Sequence, residues 1–209
     1  MKVIKNKGVF YVGISLIIFF MQLSSVFAAG ENPVSMLQNT ANQMIDNLQK
    51  NKTTLKSNRQ YVYSLAYRLV VPHVDVTEMS RRVLPPQIWD NASPSQRSAF
   101  QHEFINLLVH TYAAALASYT DQTIEFYPVR GGYEGRSAIE VSSQITSNSG
   151  APAVSVKYRL LNESGGWKLY DMSVEGVSVI ESFRSQFSDL LAQGNIDVLI
   201  KRLAQHNGR

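Results

Sequence analysis

Near Thr120 the hydropathy pattern changes period, and this change constrains the fold more than any other feature of the chain. Before it, apolar residues recur at helical spacing; after it, they alternate with polar residues as the two faces of a strand do. Four segments carry the second pattern: Thr123–Val129, Ser137–Thr146, Ala153–Leu161 and Trp167–Val177. The turn clusters Gly131-Gly132, Asn148-Ser149-Gly150 and Ser164-Gly165-Gly166 separate them at hairpin spacing, which predicts an antiparallel meander. In the third segment Val154, Val156, Tyr158 and Leu160 alternate with Ser155, Lys157 and Arg159, so one face is expected to be buried and the other wet.

The helical part opens with a predicted amphipathic helix from Asn32 to about Asn51, with Asn32 able to cap it and Pro33 in its first turn. A second helix is expected over Ser57–Val70, ending before Pro72, and a short third over Asp75–Val83, ending at Pro85-Pro86. Asp75 and Glu78 have the spacing of a cap and its reciprocal partner. Ser93-Pro94 opens the longest helix, which runs to about Ser118. It carries one stripe of Phe100, Phe104, Leu107, Leu108, Thr111 and Ala115 and another of Ile105, Val109, Tyr112, Leu116 and Tyr119. A helix apolar on both sides is either sandwiched between layers or has protein on one side and a ligand on the other. Two closing helices, Val179–Gln193 and Ile196–Gln205, are separated by Gly194 as a stop and Asn195 as a cap. The predicted class is α+β, a four-stranded antiparallel twisted sheet packed against N-terminal and C-terminal helices.

The N-terminus has the three-part layout of a secretory signal peptide: basic Lys2, Lys5 and Lys7, an apolar stretch from Val9 to about Leu23, then the short segment Ser24–Ala29. Cleavage is expected after Ala28. The apolar stretch is shorter than the roughly 20 residues of a spanning helix, which favours a cleaved signal over an anchor. Residues 29–209 are then read as one domain, with a helical part over 32–120, a sheet over 122–177 and closing helices over 178–206. The chain has no cysteine, which excludes an acyl tether on an N-terminal cysteine and leaves stability to the core. Three of the twenty Lys and Arg lie in the signal and none of the sixteen Asp and Glu does, so the remainder carries seventeen against sixteen, a net of +1. With no basic run or stripe, the expected partners do not include nucleic acid.

Little in the sequence suggests catalysis or metal binding. His73, His102, His110 and His206 lack metal-ligand spacing, and the position four after His102 is Asn106 rather than a second histidine. Gly176-Val177-Ser178-Val179-Ile180 starts like a nucleophile elbow but lacks the second glycine, so Ser178 is read as the cap of the next helix. Gly131–Arg136 is glycine-rich but joins two strands, so it is read as a hairpin loop and not as a phosphate cradle. Asp171 and Glu175, four apart on a predicted strand, would share a face and could act as an acid–base pair in a small enzyme. The plainer reading is an ion pair with Arg184 or a surface arginine. No catalytic residue, metal or cofactor is assigned; a periplasmic adaptor is the remaining alternative.

Longer strings point further. Gly166–Ser178, which reads Gly-Trp-Lys-Leu-Tyr-Asp-Met-Ser-Val-Glu-Gly-Val-Ser, continues to Phe183-Arg184-Ser185-Gln186-Phe187 and resembles the signature of the MlaC family of periplasmic phospholipid-binding, or toluene-tolerance, proteins. A second likeness runs through Val74–Leu84, Trp89, Gln96, Phe100 and Phe104 to Leu107-Leu108, Thr111-Tyr112 and Leu116; a third is Tyr158-Arg159-Leu160. The chain departs from the family pattern at Pro85-Pro86, where glycine is usual after Leu84, and at Ser182, where asparagine is usual. The resemblance implies an apolar cavity between sheet and helices that holds a glycerophospholipid, tails inward. Its implied partners are an outer-membrane lipoprotein–porin complex and an inner-membrane ABC transporter with an MCE-domain subunit, in the Mla pathway that maintains outer-membrane lipid asymmetry. On that fold Leu108, Val109, Tyr112, Leu116, Val154, Val156, Tyr158, Tyr170, Met172 and Val174 are expected to touch acyl chains, with Arg184 in reserve as a phosphate contact.

Overall fold

Asparagine, serine and aspartate side chains fix where most of the helices start. The computed structural model describes residues 31–51, 58–117, 122–147, 150–163, 166–192 and 195–208. Helix α1 spans Pro33–Lys50 and begins where Asn32 Oδ1 accepts the backbone N–H groups of Val34 and Ser35. Helix α2 spans Arg59–Leu69 and runs into a 3₁₀ turn at Val71–His73, where Pro72 has no N–H to offer a continuing α-helix. Helix α3, Val76–Val83, starts on Asp75, whose Oδ1 accepts the Glu78 N–H.

The expected reciprocal half of the Asp75 box does not form. Val74 makes a parallel bridge to Leu169, and the Asp75 N–H donates to the Leu169 carbonyl at 2.8 Å. The Glu78 carboxylate therefore turns to Arg81 and Arg82, each at 2.7 Å. The Arg81 guanidinium in particular holds the Glu78 carboxyl below the usual carboxylate range, against the opposing effect of its own burial. A depressed folded-state pKa means that the contribution to stability is complete above the unfolded value near 4.5 and is lost as the pH falls through the lower folded value. Because both arginines are substantially exposed, the effect is small. Glu78→Gln is expected to lower the melting temperature slightly at neutral pH, with the difference from wild type shrinking as the pH falls below 4.5; parallel pH–melting curves for the two proteins would contradict it.

Pro85-Pro86 ends α3 as expected but also opens a helix the periodicity missed, α4 at Pro86–Asn91. Pro86 occupies the first helical position, where its fixed φ and missing N–H suit a start. Helix α5, Pro94–Ala117, opens on a reciprocal box in which Ser93 Oγ accepts the Gln96 N–H and Gln96 Oε1 accepts the Ser93 N–H.

The sheet has five antiparallel strands in sequential order: β1 Thr123–Phe126, β2 Ala138–Thr146, β3 Val154–Glu163, β4 Gly166–Val174 and β5 Val177–Ser178. The extra strand arises because the predicted Trp167–Val177 segment is broken by a two-residue turn. Glu175 and Gly176 take φ 50° and 82°, the pair of positive values that a type I′ hairpin needs, and Val174 pairs with Val177 across it. Helices α6, Val179–Leu191, and α7, Ile196–His206, close the chain on the caps Ser178 and Asn195.

Alternation along β2 and β3 sends Ile139, Val141 and Ser143, with their partners Leu160, Tyr158 and Val156, to the helix-covered face. The opposite face carries a wet ladder in which Glu140 meets Lys157 at 3.0 Å. Between Arg159↔Asp171 and Leu160↔Leu169 the β3–β4 register slips by one residue and leaves Tyr170 unpaired, a β-bulge. The main core lies among α3 to α7, where Phe100, Phe104, Phe183 and Phe187 pack largely edge to face with centroids 5.6 to 5.9 Å apart. Two smaller cores fix α1: its start packs on Ile139, Val141, Leu160 and Trp167, and its later turns on Leu65, Ala66 and Val109.

Candidate functional site

Between the covered face of the sheet and helices α1, α2 and α5 the side chains fail to meet. They enclose a cavity of about 560 Å³, well within the size range of small-molecule sites. Helix α1 contributes Leu37, Thr40, Ala41, Met44, Ile45 and Leu48, a wall about 16 Å long at 1.5 Å per residue. Helix α5 contributes Ile105, Leu108, Val109 and Tyr112, and the segment from α2 into α3 contributes Ala66, Val70, Val71, Val74 and Met79. The sheet supplies Ile124, Phe126, Ile145, Val154, Val156, Tyr158, Leu169, Met172 and Val174, with Gln122 and Val179 beside it. Among the described residues the polar side chains on this wall are Thr40, Gln122, Tyr112 and Tyr158.

Of the residues expected to face acyl chains, Leu108, Val109, Tyr112, Val154, Val156, Tyr158, Met172 and Val174 line the cavity. Leu116 lies in the last turn of α5, whose side chains are outside the described residues. Tyr170 corrects the expectation. Strict alternation from Met172 would turn it inward, but the bulge puts Leu169 on the cavity face in its place, and Tyr170 packs with its ring 4.4 Å from the Arg82 guanidinium.

Sequence reasoning missed the whole contribution of α1 and of Val70, Val71 and Val74. The signal in α1 was legible, because Leu37, Ala41, Met44, Ile45 and Leu48 form its apolar stripe. An apolar stripe reads the same whether it meets protein or an open space. Helix α5 combines both earlier alternatives: Phe100 and Phe104 are sealed in the main core, and Ile105, Leu108, Val109 and Tyr112 face the cavity.

The proposed carboxylate pair is not assembled. Asp171 is 2% exposed on the face away from the cavity and accepts four hydrogen bonds, from Arg159 Nη1, Ser178 Oγ, Met172 N–H and Ile180 N–H, at 2.8 to 3.1 Å. Its arginine partner is thus Arg159 and not Arg184. Glu175 lies in the β4–β5 turn, off the strand, where its carboxylate accepts the Ser155 N–H. Ser178, the false elbow, accepts the Glu181 N–H as the cap of α6. Arg184 spends Nε and Nη2 on the Arg82 carbonyl and Nη1 on Glu181, closing the end of α3.

Burial raises the pKa of both cavity tyrosines. For Tyr112 the negative charge of Asp171 adds to the rise, whereas for Tyr158 the hydrogen bond from Ser143 partly offsets it. Both phenols therefore stay protonated at any physiological pH. Among the described residues the wall is uncharged.

An α+β body that keeps an open, uncharged apolar cavity between its sheet and its helices defines a protein built to enclose a hydrocarbon-like ligand. The chain belongs to the MlaC family, whose model, described as MlaC protein, matches residues 38–205. It is 29% identical over 183 residues to the toluene tolerance protein ttg2D of Pseudomonas putida, covering 88% of this chain and 84% of that one. It is also 29% identical over 179 residues to the intermembrane phospholipid transport system binding protein MlaC of Haemophilus influenzae, with 85% and 83% covered. The structure of a phospholipid-binding protein from Ralstonia solanacearum in complex with a phospholipid superposes with a TM-score of 0.75 at 26% identity, over 83% of this chain and 95% of that one.

Proposed function

We propose that this protein is a phospholipid carrier of the periplasm that encloses the acyl chains of a glycerophospholipid and moves it between the outer and inner membranes. The observation that carries the reading is the 560 Å³ cavity, walled by aliphatic and aromatic side chains from both layers. Leaving two acyl chains in water costs about 0.8 kcal/mol per CH₂, so some thirty methylenes amount to roughly 24 kcal/mol as an upper limit. A wall of Leu, Val, Ile and Met side chains removes most of that cost. The same hydrocarbon fares about equally well in a bilayer, so delivery needs little net free energy and no chemistry in the carrier.

The rest of the reading concerns the route. The segment expected to direct export, residues 1–28, falls outside the described residues. Among the described residues no helix is long and apolar enough to cross a membrane. The partners that fit this role are the outer-membrane lipoprotein–porin complex and the inner-membrane ABC transporter with its MCE-domain subunit. The role asked of the carrier is binding, and in keeping with it the carboxylates of Asp171 and Glu175 are engaged in structural hydrogen bonds.

Solvent extraction of the protein, purified without added lipid, tests the reading. The expected result is glycerophospholipid in near-stoichiometric amount by mass spectrometry. Repeated recovery of well-folded protein free of lipid would overturn it.

A further inference from the structure

Two hydroxyl groups on the cavity wall are short of partners. Ser143 lies on β2, 2% exposed, and donates from Oγ to Tyr158 Oη at 3.3 Å. Only Tyr158 of this pair lines the cavity. Two hydroxyls bring two protons, and their single bond uses the one on Ser143. The proton of Tyr158 therefore has no acceptor among the described residues. Tyr112, on the helix α5 side of the same cavity, also has no hydrogen-bond partner among the described residues. Burial pushes both phenols up, the expected result of removing them from water.

An O–H donor left unpaired in an apolar wall carries a free-energy penalty that an acceptor on the occupant would remove. The depth at which that acceptor must lie follows from the sheet. The last row of cavity-lining residues at one end of the sheet is Ile124, Ile145 and Val154, and Ser143, which bonds Tyr158 Oη, is two residues from Ile145 along β2, toward the sealed end at Ile139 and Leu160. At about 3.4 Å per residue the hydroxyl lies roughly 7 Å inside that row. A hydrocarbon tail has no acceptor to offer there, and a charged headgroup would be desolvated beside Val156, Met172 and Val174. An ester carbonyl is neutral and accepts hydrogen bonds, and it occurs where a fatty chain joins its glycerol.

We propose that Tyr158 and Tyr112 donate hydrogen bonds to the ester carbonyls of the bound lipid, so that the glycerol ester region, and not the tails alone, is drawn inside the wall. The cavity then selects ester-linked lipids over otherwise identical ether-linked ones. This rests on the phospholipid reading above and deepens it.

Competition between dipalmitoyl phosphatidylglycerol and its dihexadecyl ether analogue, read by native mass spectrometry, tests the inference. Headgroup and chain length are shared, and only the two carbonyls differ. The wild-type protein is expected to favour the ester by about three- to tenfold per hydrogen bond. Tyr158→Phe and Tyr112→Phe should each reduce that ratio, and the double variant should bring it to one. Equal binding of ester and ether by the wild-type protein would show that water takes both protons and would overturn this proposal alone. An unchanged ratio in the double variant would overturn it equally, and binding of neither lipid would overturn the carrier reading along with it. The wild-type ratio needs no variant, so a folding defect cannot mask the result.

Discussion

Val156→Arg is expected to empty the cavity and leave a folded protein. Val156 is 3% exposed in the middle of β3, faces the cavity, and has Ser143 and Val174 as its cross-strand partners. A guanidinium there would lie beside hydrocarbon with no counter-charge on the described wall, a burial that costs several kcal/mol. Expelling the lipid lets water enter and hydrate the charge, so the loss falls first on binding. At 1.4 kcal/mol per tenfold, a penalty of about 3 kcal/mol lowers affinity roughly a hundredfold. Extracted lipid per protein should drop to near zero, while far-ultraviolet circular dichroism and a cooperative melt persist. Lys157→Ala, on the wet face one residue away, should keep full occupancy. Normal occupancy in Val156→Arg would remove this stretch of β3 from the binding surface.

Asp171→Ala is expected to act on stability. Its carboxylate gathers four donors from three directions, tying β3 to β4 through Arg159, and β4 to the start of α6 through Ser178 and the Ile180 N–H. Arg159 can still reach Glu140, 3.6 Å from its Nε, but the Ile180 and Met172 N–H groups would lose their side-chain acceptor. Each backbone donor left without its acceptor costs about 1–3 kcal/mol, so losing both takes a large share of the roughly 5–15 kcal/mol that holds a domain folded. For a chain of this size that predicts a fall in melting temperature of roughly 10 °C. A denaturation midpoint indistinguishable from wild type would show that the network is not integral to the fold. Asp171→Asn, which keeps one oxygen for the two backbone donors, should lose less.

Much of the architecture is legible in the chain because it is written locally. Asn32, Asp75, Ser93, Ser178 and Asn195 each cap within three residues of themselves, and a short polar side chain before an apolar stripe signals that geometry without knowledge of the fold. The alternation in Ala138–Thr146 and Val154–Glu163 is equally local, and it placed Val154, Val156 and Tyr158 on the covered face. The family strings added the nature of the ligand, which no periodicity contains.

Where the chain misled, the deciding contact came from elsewhere in the molecule. Tyr170 faces away from the cavity because β3 and β4 pair with one residue left over, and pairing between strands is absent from the pattern within either one. Glu78 leaves its capping partner because Leu169, far along the chain, takes the Asp75 N–H. The cavity is the plainest case. The apolar stripes of α1 and α5 and the inward row of the sheet are determined by sequence, but whether these surfaces touch or stand apart depends on how far the layers are held from each other. That spacing is set by the packed cores at either side, α1 on Trp167 and Leu160 at one end and the phenylalanine cluster beneath α5 at the other. The sequence determined an apolar interior; only the tertiary structure left part of it hollow.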